Sequence, residues 1–219
     1  MRLTLRVRVT APADTYYVTN VFCTRHRFVT GSAHSETMAA IAQVPHNVLE
    51  RIALGDHSIM RTMNSWRAPR WIRLWMICAT RGGDGWLWYA IGLAVALFGG
   101  EHRLQALAAS SAAVGIGIGI FIYLKGLFRR KRPCALEPHC WATLLPRDQF
   151  SFPSGHSITA FSVAISLGQF YPSLLPVLLF FATSIALSRV VLSMHFLSDV
   201  IAGAAIGALV GHLAYTLIF

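Results

Sequence analysis

At 219 residues the chain has the size of a single domain. With 55% hydrophobic residues and a mean hydropathy of +0.53, an ordinary soluble domain is excluded. The net charge of +10 would suggest nucleic acid in a soluble protein, but these cations flank apolar runs. Nucleic-acid binding is therefore set aside, and the expected partners are anionic lipid headgroups, membrane lipids and anionic substrates.

In chain order, Leu3, Leu5, Val7 and Val9 alternate with Thr and Arg, a strand-like period of two. No apolar core follows, so this is not a secretory signal. Nothing later offers the segment a sheet to join. Residues 1–37 are expected to be a poorly ordered extension, with Met38 as an alternative start and 38–219 as the membrane domain. Residues 46–65 predict an amphipathic helix, with Val48, Ile52, Ile59 and Met63 on one face and Glu50, Arg51, Asp56 and Arg61 elsewhere. Trp66 to Arg81 mixes three Trp with four Arg, which suits the membrane–water interface. Arg73 in its middle argues against a full span.

Five spans are predicted beyond that point. Trp86–Gly100 is short and borrows from the Gly82–Gly85 region. Leu104–Leu124 carries no charge and reaches the ~20 residues a helix needs to cross. Phe152–Tyr171, Leu174–Met194 and Val200–Phe219 follow. The fold class is thus all-α: a polytopic membrane bundle of five to six transmembrane helices, preceded by an interfacial amphipathic helix. Gly115-Ile-Gly-Ile-Gly119 follows no strand and lies in mid-span, so it reads as close helix packing rather than a nucleotide loop. Gly203, Gly207 and Gly211 repeat the same spacing. Cys23, Cys78, Cys134 and Cys140 match no zinc pattern and are expected as free thiols, with a Cys134–Cys140 disulfide as the alternative.

Three blocks carry the chemistry. The first is Lys125 followed by Arg132-Pro133. The second is Pro153-Ser154-Gly155-His156. The third is Ser188-Arg189, His195 and Asp199. Five crossings place all three on one membrane face. Lys125 and Arg132 lie about two helical turns apart, so a helix would align them, and Arg189 adds a third cation. Phosphoryl transfer keeps its negative charge in the transition state, so catalysis is largely positioning plus electrostatic stabilisation. A helix beginning at Ser154 and Gly155, with Pro153 suiting the entry, would aim free N–H groups at an anion, and the Ser154 hydroxyl adds a donor. His195 and Asp199, four apart, would stack on one helix face. The carboxylate could hold the Nδ1 proton and leave Nε2 as nucleophile. His156 remains to protonate the leaving group and then activate water. No metal or cofactor is called for by this set.

These blocks resemble the three-part signature of the type-2 phosphatidic acid phosphatase family: Lys, six residues, Arg-Pro; Pro-Ser-Gly-His; Ser-Arg, five residues, His, three residues, Asp. Every named position is matched, and the resemblance covers roughly residues 46–219. It implies a helical core shared with vanadium haloperoxidases and metal-independent hydrolysis of lipid phosphates. Phosphatidic acid, phosphatidylglycerophosphate, polyprenyl pyrophosphates and lipid A are among the family's substrates. By position, His195 would form a phosphohistidine, Asp199 would orient it, and His156 would be the acid and then the base. Lys125, Arg132, Ser154, Gly155 and Arg189 would hold the phosphate. Many members have six crossings, one more than counted here.

Alternatives are transfer to another acceptor, hydrolysis of a soluble phosphate, haloperoxidase chemistry, or a non-catalytic lipid-binding protein. The last would be expected to lack His156, His195 or Asp199, and all three are present. The expected location is the bacterial inner membrane. The surplus of Arg and Lys on the motif face would make that face cytoplasmic. Bacterial members of the family often act on the outer face, so the two arguments point opposite ways.

Overall fold

The computed structural model describes residues 48–136 and 149–219; the expectations for residues 1–37, and Cys23 and Cys140, lie outside them. Eight α-helices are described: α1 (Val48–Ser65), α2 (Arg70–Gly83), α3 (Trp86–Phe98), α4 (Arg103–Phe128), the short α5 (Pro133–Leu136), α6 (Gly155–Phe170), α7 (Leu175–Val191) and α8 (Leu197–Ile218). Among the described residues there is no strand, only an isolated antiparallel bridge between Lys131 and Phe150. Cys78 and Cys134 are free.

Three of these helices are long and apolar enough to cross a membrane: α4 with its 3-10 lead-in, α7 with its own, and α8. At 26 residues, α4 extends ~39 Å, more than the ~30 Å hydrocarbon core. The predicted first span is interrupted. Helix α2 ends at Gly83, the chain turns through Asp84 and Gly85, and α3 restarts at Trp86. Gly85 takes φ +130, a conformation that side chains rarely adopt. With 13 residues, α3 reaches only ~20 Å.

Helices α6 and α8 form the centre and run parallel. Gly203, Gly207 and Gly211 face the α6 backbone at the carbonyls of Ser154, Ile158 and Ser162 in turn. A methyl at Gly203 would lie 2.7 Å from the Ser154 oxygen, so glycine lets the two backbones meet. The expectation for Gly115 and Gly119 does not hold within this chain: both look onto open space. The packed residue between them is Gly117, where an added Cβ would lie 2.8 Å from Ile158 Cγ2. A 3.6-residue period cannot present 115, 117 and 119 to one neighbour, and the α6 contact falls on 117. Helix α4 runs antiparallel to α6, and Ser110 hydrogen-bonds Ser166 at 3.2 Å. At the opposite end of the bundle, Tyr171 donates to the Gly99 carbonyl at 2.9 Å.

Helix α1 forms within the predicted limits, but its faces divide differently. Ile59 and Met63 pack against Ala186, Val190 and Val200, while Val48, Ile52 and Leu54 are exposed. Asp56, expected on the polar face, is buried. Its carboxylate accepts the Ser198 N–H at the start of α8 at 3.0 Å, together with the Ser198 hydroxyl. A negative charge is favourable at that positive helix end.

Candidate active site

Hydrogen bonds tie the three sequence blocks together in pairs. After α4 the chain leaves the helix at Arg129, whose left-handed backbone (φ 45) ends it. Lys125 and Arg132 therefore do not share a helix face, as their spacing suggested; a bend brings them together. Past the bend, Ser151 N–H donates to the Arg130 carbonyl at 2.7 Å, joining the first block to the segment before the second. Ser154 N–H donates to the Asp199 carbonyl at 3.0 Å, joining the second to the third. Arg132 Nη1 donates to the Met194 carbonyl at 2.7 Å, joining the first to the third.

Six of the eight predicted residues, Lys125, Arg132, Gly155, His156, Arg189 and His195, line one cavity of about 490 Å³. One wall is apolar, from Gly117, Ile118 and Phe121 of α4. Lys125 Nζ lies 4.2 Å from the Phe121 ring centroid. A Cβ at Gly155 would lie 2.9 Å from that ring, so glycine there makes room for it. Arg189 is buried on α7 and donates to the Thr80 hydroxyl of α2. With Arg81 of α2, four cations line one concavity, a field suited to a phosphate.

The other two predicted residues do not line the cavity. Ser154 is fully buried and is the N-cap of α6; its Oγ accepts from Ser157 N at 3.4 Å and Ser157 Oγ at 2.9 Å. Pro153 precedes this cap in a cis peptide bond instead of opening the helix. Asp199 is fully buried behind His195.

The pair His195–Asp199 also departs from a shared helix face. His195 precedes α8, whereas Asp199 is its third residue and accepts the Phe196 N–H at 2.9 Å. His195 Nδ1 is 3.7 Å from Asp199 Oδ2, longer than a hydrogen bond, and Nδ1 is buried with no hydrogen-bond partner. On the other side of the ring, Nε2 lies 3.1 Å from Arg132 Nη1. A guanidinium only donates, so Nε2 must accept and the ring proton sits on Nδ1, facing Asp199. Burial pushes His195 well below its ordinary pKa, to about 3. The Asp199 carboxylate opposes the shift, and the Arg132 and Arg189 charges reinforce it. The imidazole is therefore neutral at physiological pH with its Nε2 lone pair available.

Sequence reasoning missed four residues at the site. Arg130 Nη1 donates to Asp199 Oδ1 at 2.8 Å and Arg130 Nη2 to Asp56 Oδ2 at 2.8 Å, so one guanidinium bridges two buried carboxylates. Its carbon lies 4.0 Å from the Phe196 ring centroid. Thr80 orients Arg189. Asp84, in the turn after α2, accepts from His156 Nε2 at 2.9 Å. In sequence, Arg130 is one of four consecutive cations and carries no separate signal. Asp84 did carry one: an acidic residue beside an apolar span, in a chain with only nine Asp and Glu.

Known proteins similar to this chain identify its family. The chain is 36% identical over 127 residues to decaprenylphosphoryl-5-phosphoribose phosphatase of Mycobacterium tuberculosis, covering 58% of this chain and 68% of that protein. It is 42% identical over 69 residues to lipid A 1-phosphatase of Porphyromonas gingivalis, covering 30% of this chain and 16% of that one. The crystal structure of Aquifex aeolicus LpxE superposes with a TM-score of 0.62 at 25% identity, over 73% of this chain and 93% of that one. The transmembrane PAP2-type phosphatidylglycerolphosphate phosphatase of Bacillus subtilis gives 0.59 at 25% identity, over 82% and 89%. Residues 103–219, which hold all three blocks, match the PAP2 superfamily, and the chain is an integral-membrane member of that family.

Proposed function

We propose that the chain is a membrane phosphatase that hydrolyses the phosphomonoester or pyrophosphate of a lipid through a phosphohistidine on His195, without a metal. The relatives are named phosphatases of a decaprenylphosphoryl sugar phosphate and of lipid A. The observation that carries the reading is the neutral, buried His195 with Nε2 turned toward Arg132 in a cavity that also holds Lys125, Arg189 and His156.

A phosphate entering the cavity would take over the Arg132 guanidinium and meet Lys125, Arg189 and the free N–H groups at the start of α6. The Nε2 lone pair attacks phosphorus as the bond to the leaving oxygen breaks, and His156 gives that oxygen a proton. His195 becomes a cation, which buried Asp199 stabilises, while Arg130 and the Phe196 N–H hold the carboxylate in place. Water then gives a proton to His156 and its oxygen attacks phosphorus. The P–N electron pair returns to Nε2, and inorganic phosphate leaves. The apolar wall of Gly117, Ile118 and Phe121 beside the cations suits a substrate with a hydrocarbon portion.

The test is phosphate release in detergent with excess EDTA from phosphatidic acid, phosphatidylglycerophosphate, lipid A and a polyprenyl pyrophosphate, with His195→Ala alongside. Release by the native protein that the variant loses is expected. Turnover surviving in His195→Ala would refute the phosphohistidine, and turnover abolished by EDTA and restored by a metal would refute the metal-free reading.

A further inference from the structure

Among the described residues one carboxylate, Asp84, lines the cavity, and the proposed reaction gives it nothing to do. Asp84 stands among Lys125, Arg132 and Arg189, where it opposes the approach of a phosphate. Its hydrogen-bond partner across the cavity is not one of these cations but His156, with 2.9 Å between Asp84 Oδ1 and Nε2. The turn that carries it is well held. The Asp84 N–H bonds back to the Arg81 carbonyl at 3.1 Å. Gly83 fits so closely that a Cβ there would lie 2.8 Å from Ile185 Cγ2 and 3.1 Å from His156 Cδ2. Gly85 supplies the φ of +130. The break between α2 and α3 thus presents a carboxylate to the first turn of α6.

We propose that Asp84 is a positioning residue for the acid–base histidine, an inference that rests on the role of His156 in the proposed function. An ionised carboxylate only accepts, so His156 directs its Nε2–H at Asp84. In the cationic ring Nδ1 carries the second proton, which goes to the departing oxygen; the neutral ring left behind, still N–H at Nε2, then takes a proton from water on Nδ1. Each histidine has its own carboxylate: Asp199 behind the nucleophile and Asp84 beside the acid. The competing account is an exposed ion pair that merely ties α2 to α6; the Asp84 side chain is 46% exposed, and such pairs contribute little to stability.

Leaving groups separate the two accounts. An alkyl phosphate needs its leaving oxygen protonated; a nitrophenyl phosphate does not, because nitrophenolate departs as the anion. The two substrates should carry hydrocarbon chains of equal length. The quantity compared is kcat/KM, which reports the step in which the leaving group departs and not the shared hydrolysis of the phosphoenzyme. His156→Gln is expected to lose roughly 10²–10⁴-fold on the alkyl ester and far less on the nitrophenyl ester. Asp84→Ala is expected to show the same selectivity, with about a tenfold or larger loss on the alkyl ester. Retained turnover of the nitrophenyl ester shows that the variant is folded. Equal losses on both esters, or none on either, in Asp84→Ala would overturn the positioning role while leaving the mechanism standing. Equal losses in His156→Gln would remove the acid role itself, and the proposal with it, while His195→Ala still reports on the nucleophile.

Discussion

Gly203 is where helix packing meets the proposed catalytic residues. It lies one turn beyond Asp199 on α8 and faces the Ser154 carbonyl, the last peptide before Gly155 and His156. In Gly203→Ala the new Cβ would lie 2.7 Å from that oxygen and 3.1 Å from Ser157 Cβ. A comfortable carbon–oxygen approach is about 3.3 Å, so the start of α6 must move roughly 0.6 Å away from α8. Overpacking of this kind costs about 1–3 kcal/mol, offset by up to ~1 kcal/mol of helix propensity. The net loss is up to about 2.5 kcal/mol, a fall of up to about 10 °C in Tm. Activity is the more sensitive readout, because the displaced turn carries His156 while α8 carries Asp199. A 1 Å misplacement costs on the order of 10²-fold, so 0.6 Å predicts about a tenfold loss. The assay is phosphate release in detergent alongside a thermal melt, with Gly119→Ala as the matched control, since nothing lies within 4 Å of a Cβ at that position. Wild-type activity in Gly203→Ala, or an equal loss in Gly119→Ala, would refute the argument.

Arg130→Ala should leave Asp56 and Asp199, both buried, without their shared cation. Breaking such a pair costs about 3 kcal/mol, the lower end of the range because Arg130 is partly exposed, and activity should fall as Asp199 loses its anchor. Asp56→Asn, which keeps the shape, should lose less; an unchanged Tm and rate in both variants would show that the bridge is idle. Stability should also depend on pH through His195, whose pKa falls from 6.5 to about 3 on folding. Above 6.5 neither state carries the proton, so the contribution is full there; below it the unfolded chain takes up a proton that the fold refuses, and stability declines toward pH 3. Melts between about pH 7 and pH 4 should therefore fall more steeply in the wild type than in His195→Asn, and parallel curves would contradict the burial argument.

Much of the architecture was legible because hydropathy and helical period are local properties. The apolar runs at 104–124, 174–194 and 200–219 each became a helix with ends shifted by a few residues. Gly203, Gly207 and Gly211 pack on a neighbouring helix as their spacing suggested. Gly115 and Gly119 have the same spacing and do not, because spacing shows that a helix face is narrow and not which neighbour will meet it.

The chain by itself determined that three blocks lie at the edges of apolar runs and that two histidines and a carboxylate stand among cations there. Order, spacing and hydropathy carry that information, and none of it requires knowing how the helices dock. Tertiary structure alone decided how those residues are used. The left-handed Arg129 bends the chain so that Lys125 and Arg132 converge from different segments. The start of α8 falls after His195, so Asp199 caps a helix instead of stacking below its histidine on one face. Asp56, Asp84 and Arg130 meet partners 142, 72 and 69 residues away along the chain. Whether a charge faces solvent or bridges two buried groups depends on which surfaces close around it, and nothing within one helical turn of sequence encodes that.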